Sequence, residues 1–220
     1  VDESARKPYA ASALVHLALD ETAGSTTFVN STGKGDLLCA DAANCPQAGL
    51  KGQVRERLQF NNQPGMATAA APRLTVPNQP DTPVSFSAWV KLTTPPSEPA
   101  SLVALHANEG ADAPSWRLQL INSDGKVTPQ LIGSFGSGGV CSGNFAVTPA
   151  NVNLAMNQWH HLGVNYDPNN GKNDVSLYLN GRLIHQERMN GLLCRAGTTL
   201  RFGQGYRGQM DEFFYYSKSL

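Results

Sequence analysis

Two adjacent acidic pairs, Asp20-Glu21 and Asp211-Glu212, are the carboxylates whose spacing first invites a chemical reading. Hydrolysis of a glycosidic bond needs two carboxyl groups about 5 to 10 Å apart across the sugar. Neighbours on a strand point to opposite faces, so neither strand-borne pair can flank one substrate. His160 and His161 meet the same objection, because adjacent strand residues cannot easily chelate one ion. No Gly-x-Ser-x-Gly elbow joins a strand to a helix. Gly136-Ser137-Gly138-Gly139 reads as a flexible loop and not as a phosphate cradle. These residues predict no catalytic centre and a protein that is not an enzyme.

The four cysteines contain no C-x-x-C pair, and their spacing matches no zinc ribbon or finger. An even count in Gly- and Asn-rich surroundings favours two disulfides, Cys39–Cys45 and Cys141–Cys194. Four buried free thiols are the alternative. The disulfide reading implies an oxidising compartment, outside the cell or at its surface. Binding chemistry is expected at aromatic and planar polar side chains, which stack on the apolar face of a sugar and bond its hydroxyls. Trp116, Arg117, Tyr206 and Arg207 are the candidates, with a place in the core as the other reading of Trp116.

The elements that must hold these residues read as strands throughout. The chain has 220 residues, 40% hydrophobic and 15% charged, with 21 Gly and 14 Pro scattered among them. That suits many short strands joined by turns, and one large all-β domain better than two ordinary ones. Seventeen basic and seventeen acidic residues cancel without clustering, which excludes a basic nucleic-acid footprint. No apolar run approaches the roughly 18 residues of a membrane span, so membrane insertion is not expected. Residues 84–92 alternate strictly, with Val84, Phe86, Ala88, Val90 and Leu92 on one face and Trp89 on the other. Asp124-Gly125 and Asn180-Gly181 each predict a tight hairpin turn. About twelve strands and no helix are expected, with residues 1–12 a linker or frayed terminus and 13–220 the domain. Residues 1–7 lack a signal-peptide pattern, and the chain ends just after its last expected strand. It is therefore expected to be a domain cut from a longer protein.

A family pattern runs through these strands. Trp159-His160-His161-Leu162-Gly163-Val164-Asn165-Tyr166-Asp167 is followed by Val175-Ser176-Leu177-Tyr178-Leu179-Asn180-Gly181, and then by Gly208-Gln209-Met210-Asp211-Glu212-Phe213. Earlier come Leu17-Ala18-Leu19-Asp20-Glu21, Asn30-Ser31-Thr32-Gly33-Lys34-Gly35 and Phe86-Ser87-Ala88-Trp89-Val90-Lys91. In order and spacing these resemble the laminin-G-like jelly roll of the concanavalin A-like lectin/glucanase fold, over roughly residues 14–220. The resemblance implies an all-β, two-sheet antiparallel β-sandwich with a recognition or adhesion role. Its partner would be a glycan or glycoprotein or, alternatively, a neighbouring domain that the module docks or spaces. It places Trp89 and Trp159 in core motifs, where burial is expected, and makes His160 and His161 structural. It also implies one structural calcium, for which Asp20, Asn30 and Asp211 would converge near the meeting of first and last strands. Asn30 stands where the family has Asp, which removes one carboxylate, and Asp36 is a substitute oxygen. The alternative is that Asp20-Glu21 caps a strand and Asp211-Glu212 is a solvated pair. Glucanases of this fold carry a Glu-x-Asp-x-Glu run on one strand, and no Glu-x-Asp or Glu-x-Glu occurs here.

Overall fold

The computed structural model describes residues 13–39, 45–61, 73–76, 83–107, 114–137, 140–168, 174–194 and 197–219, so the expected linker at 1–12 lies outside the described residues. Seventeen strands occur among them and no helix. In chain order the first nine are β1 (Val15–Leu17), β2 (Thr27–Phe28), β3 (Leu37–Leu38), β4 (Gln47–Lys51), β5 (Glu56–Asn61), β6 (Arg73–Thr75), β7 (Val84–Leu92), β8 (Ala100–His106) and β9 (Pro114–Ser123). The rest are β10 (Lys126–Ser137), β11 (Val140–Val147), β12 (Trp159–Asp167), β13 (Asp174–Leu179), β14 (Arg182–Arg188), β15 (Leu192–Leu193), β16 (Thr199–Phe202) and β17 (Arg207–Tyr216).

They form two antiparallel sheets. The first has the order β14-β13-β12-β7-β17-β5-β4, with β1 also on β17. The second runs β11-β10-β9-β8-β16-β6-β3-β2, with β15 beside β10. Both predicted tight turns form: Asp124, Gly125, Asn180 and Gly181 all have positive φ, as a two-residue hairpin matched to strand twist requires.

Alternation drives the stacking. Along β12, His160, Leu162, Val164 and Tyr166 are buried while the residues between them are half-buried, so one face meets the other sheet. The core is aromatic at its centre. Trp116 on β9 stacks on Phe86 of β7, with centroids 4.7 Å apart and planes 11° apart, and on Tyr215 of β17 at 6.4 Å. Phe202 meets Phe213 edge-on at 4.8 Å. One indole from the second sheet thus fills the space between two rings of the first, which ties the layers together.

Two expectations change. Gly136 and Ser137, expected in a flexible loop, lie in β10, where Leu131–Ser137 pairs with Val140–Val147 with a bulge at Phe135/Gly136, while Gly138 and Gly139 lie outside the described residues. Gly133 faces Phe145 across that ladder and Gly143 faces Phe135, so each ring covers a position where a Cβ would collide with it. Glycine here admits an aromatic partner and does not confer freedom. The strand count also exceeds twelve, because two-residue elements such as β2, β3 and β15 are too short to show any period.

Cys39 and Cys45 form the expected disulfide, with Cα atoms 5.4 Å apart, closing the connection from β3 to β4. Cys194 is also disulfide-bonded. The side chain of Cys141 lies outside the described residues.

Candidate functional site

The outer face of the first sheet carries a shallow open groove of about 530 Å³, lined by Gln53, Trp89, Trp159, His161 and Asn180. Strand register builds it. Trp159 pairs with Lys91 and His161 with Trp89, so two indoles and an imidazole occupy adjacent positions on the off-core face of β12 and β7. The rings of Trp89 and His161 lie 5.1 Å apart at 54°. Both indoles are half-buried, each keeping part of its ring surface in reach of solvent. Burial lowers the basicity of His161, which favours the neutral imidazole.

The ends of the groove are polar. Asn180, at positive φ in the β13–β14 turn, accepts from His161 N through Oδ1 at 2.8 Å and donates from its own N to His161 O at 2.8 Å. Its carboxamide is thereby oriented, and its Nδ2 donors meet no acceptor among the described residues. Gln53 stands exposed at the opposite end, its backbone N donating to Asp211 Oδ2. Apolar rings between the oriented Asn180 amide and the exposed Gln53 form a surface on which CH faces could stack and hydroxyls bond.

A second cavity, a cleft of about 300 Å³, opens between the β7–β8 loop (residues 93–99) and the turn from β16 to β17. Arg117, Tyr206 and Arg207 line it, so three of the four sequence-predicted ligand residues share one site. Trp116 does not join them. It is 1% exposed in the central stack and cannot be an exposed platform, a correction to the sequence reading. Tyr206 is corrected in the same way: its ring is 1% exposed, and its hydroxyl lies 3.1 Å from Lys91 O and 2.9 Å from Gln209 O. It pins the cleft wall to β7 and β17, and burial pushes its phenol far above the ordinary range.

Conversely, Trp89, Trp159 and His161, which the family pattern places among buried or structural residues, are half-buried on the off-core face. Only His160 turns inward, its Nε2 3.0 Å from the Ala155 carbonyl. The signal was present in the period of two, since Trp159 and His161 alternate with the buried His160 and Leu162. Motif membership concealed it.

The first and last strands meet as anticipated. On one side of β17, β5 pairs with residues up to Met210 and β1 with Phe213–Tyr215, leaving Asp211-Glu212 at a bulge between them. Into this gap projects the β4–β5 turn, and Gln53 N and Val54 N donate to Asp211 Oδ2 at 2.8 and 2.9 Å. A Cβ at Gly52 would stand 2.6 Å from that oxygen, so the turn needs glycine there. Asp20 Oδ1 accepts from Glu56 N at 3.0 Å. Burial, reinforced by Glu212 and Asp20 and opposed by the two backbone bonds, pushes Asp211 up to about 6. Glu212 accepts from His16 Nε2 at 3.0 Å, and His16 Nδ1 takes a bond from Ser31 Oγ at 2.7 Å.

The calcium expectation fits this junction poorly. Asn30 Oδ1 accepts from His16 N, Thr32 N and Thr32 Oγ1, at 2.9 to 3.2 Å, which leaves no lone pair for a cation. Asp36 Oδ1 is turned to Asn30 N at 3.0 Å. Among the described residues no three His, Cys, Asp or Glu side chains gather as a metal site, whereas calcium takes about six to eight oxygens. Asp20 and Asp211 are brought together, and Asn30 points elsewhere.

A laminin G family model described as "Concanavalin A-like lectin/glucanases superfamily" matches residues 65–220. No curated protein matches the chain in sequence. Among solved structures, the chain is similar to domain 4 of AbnA, a GH43 extracellular arabinanase from Geobacillus stearothermophilus, in complex with arabinotriose. The TM-score is 0.61 at 16% identity, covering 94% of this chain and 93% of that one. It is also similar to the botulinum neurotoxin type G receptor binding domain (TM-score 0.59, 13% identity, 94% of this chain and 48% of that one). Trypanosoma rangeli sialidase in complex with sialic acid matches at TM-score 0.62 and 13% identity, covering 96% of this chain and 31% of that one. At such identities the likeness is one of fold. No helix among the described residues is long and apolar enough to cross a membrane.

Proposed function

The chain belongs to the concanavalin A-like lectin/glucanases superfamily, and on that footing we propose that it is an extracellular, non-catalytic module that holds a glycan in the Trp89–Trp159 groove. One observation carries the reading: two half-buried indoles share the off-core face of the first sheet with His161 and an oriented Asn180. Strands stand about 4.8 Å apart, so the row from the β4–β5 turn through β17, β7 and β12 to Asn180 spans a short oligosaccharide.

Among the described residues no carboxyl side chain lines the groove. Asp211, opposite Trp89 on β17, is 0% exposed and turned into the β4–β5 turn, so it cannot reach a glycosidic oxygen. Hydrolysis demands a pair of carboxyl groups flanking the sugar, and the groove's lining among the described residues supports a non-catalytic role. The Cys39–Cys45 bond supports an oxidising compartment. The arabinotriose bound to the arabinanase domain and the sialic acid bound to the sialidase make saccharides the class to test first.

The test is a glycan array probed with the intact chain and with Trp159→Ala. The proposal expects a defined set of glycans to bind and the variant to lose about tenfold in affinity, ~1.4 kcal/mol, while melting like the parent. An array blank for the parent chain would overturn it and favour docking of a neighbouring domain.

A further inference from the structure

We propose that the cleft between the β7–β8 loop and the β16–β17 turn binds a small sugar acid through its carboxylate, with Arg117 as the anchoring cation. This site is separate from the tryptophan groove and stands without it. At about 300 Å³ the cleft sits at the lower end of the size range of small-molecule pockets.

Arg117 lies on β9 between the core residues Trp116 and Leu118, so its side chain leaves from the outer face of the second sheet. Its cross-strand neighbours are Ala104 and Ile132, neither of which offers an acceptor side chain. Nε is shut off from solvent and bonds to no acceptor. Burial alone acts on the guanidinium, lowering its basicity, and no described carboxylate opposes that. A half-buried cation is costly until an anion pairs with it, and a guanidinium matches a carboxylate in a planar, two-bond fork. The protein supplies the fork and leaves its counterpart to a ligand.

The rest of the cleft sets the class. Gln204 and Ser97 offer bonds to hydroxyls, and Pro95 and Pro99 give rigid apolar walls. Glu98, exposed on the same rim, repels added negative charge and so disfavours phosphate and sulfate esters relative to a single carboxylate.

The experiment titrates the intact chain with D-glucuronate, with D-glucose as the neutral ring and acetate as the bare carboxylate, followed by amide chemical shifts. Glucuronate should saturate residues around 94–101 and 204–207, glucose should not, and acetate should bind about tenfold more weakly. Arg117→Gln should abolish glucuronate binding without lowering the melting temperature, because an unpaired buried charge does not stabilise the fold. Should that variant fail to fold, Arg117→Lys must bind more weakly and Glu98→Gln several-fold more tightly. Trp159→Ala must leave glucuronate binding unchanged, which separates this site from the groove. Absent glucuronate binding, equal binding of glucose, acetate as tight as glucuronate, or indifference to the Arg117 and Glu98 variants would each overturn the proposal.

Discussion

Replacing Asp211 with Asn should stabilise the protein at neutral pH, although it removes a buried carboxylate that accepts two backbone hydrogen bonds. The side chain is 0% exposed, Oδ2 is satisfied by Gln53 N and Val54 N, and Oδ1 is buried without a partner. Burial raises its pKa from 3.8 to about 6. The folded state therefore binds the proton more tightly than the unfolded chain does. Below the unfolded value the site costs nothing. As pH climbs from about 4 to about 6 the unfolded chain gives up a proton that the folded protein still holds, so stability falls until the buried carboxyl ionises as well. A shift of roughly two units corresponds to about 3 kcal/mol lost once ionisation is complete. An Asn keeps an oxygen for the two amides and carries no charge, but its amide nitrogen takes the place of the partnerless Oδ1, so Asp211→Asn should gain about 1 to 2 kcal/mol near pH 8 and nothing near pH 3. Urea unfolding across that range, in chelator, reads the difference directly. The parent should lose stability between about pH 4 and 6, and the variant should not. A variant less stable than the parent at the upper pH in chelator would refute the reasoning. A loss seen only with added calcium would make Asp211 a cation ligand after all.

Other outcomes follow from single residues. Trp116→Ala removes the ring that bridges Phe86 and Tyr215 and should cost about 3 to 5 kcal/mol by urea unfolding, without a specific effect on glycan binding in the fraction that stays folded. Tyr206→Phe strips the hydroxyl from two buried carbonyls and should cost about 1 to 2 kcal/mol by the same assay. Cys45→Ser opens the bond across a separation of six residues, which chain entropy values at about 2 kcal/mol, measured against the reduced parent as control.

Much of the sandwich is legible in the sequence because its long strands keep a strict period of two. Residues 84–92 and 159–167 show in letters which face they bury, and Asp124-Gly125 and Asn180-Gly181 announce their turns. Elements of two residues have no period to read, and the glycines of 133–143 look like a loop until the rings of Phe145 and Phe135 are seen covering them. The site is less legible. Trp116 and Trp159 are the same residue type in similar alternating contexts. One points into the core and the other away from it, and the register of a strand against its distant partner decides which. Arg117 and Arg207 line one cleft, a proximity that no spacing in the sequence shows, and the half-buried indoles are Trp89 and Trp159 and not Trp116. Asn30 kept its place in the family pattern while its oxygen turned to His16 and Thr32, a choice set by side-chain torsion that composition does not encode.

The three indoles make the central claim directly measurable, since each gives one N–H resonance in a proton–nitrogen correlation spectrum. Titrating the labelled chain with a glycan that binds on the array should shift the Trp89 and Trp159 indole signals along one saturable curve. Trp116, 1% exposed in the core, should stay in place. Saturable glycan binding that moves neither Trp89 nor Trp159 would contradict the account.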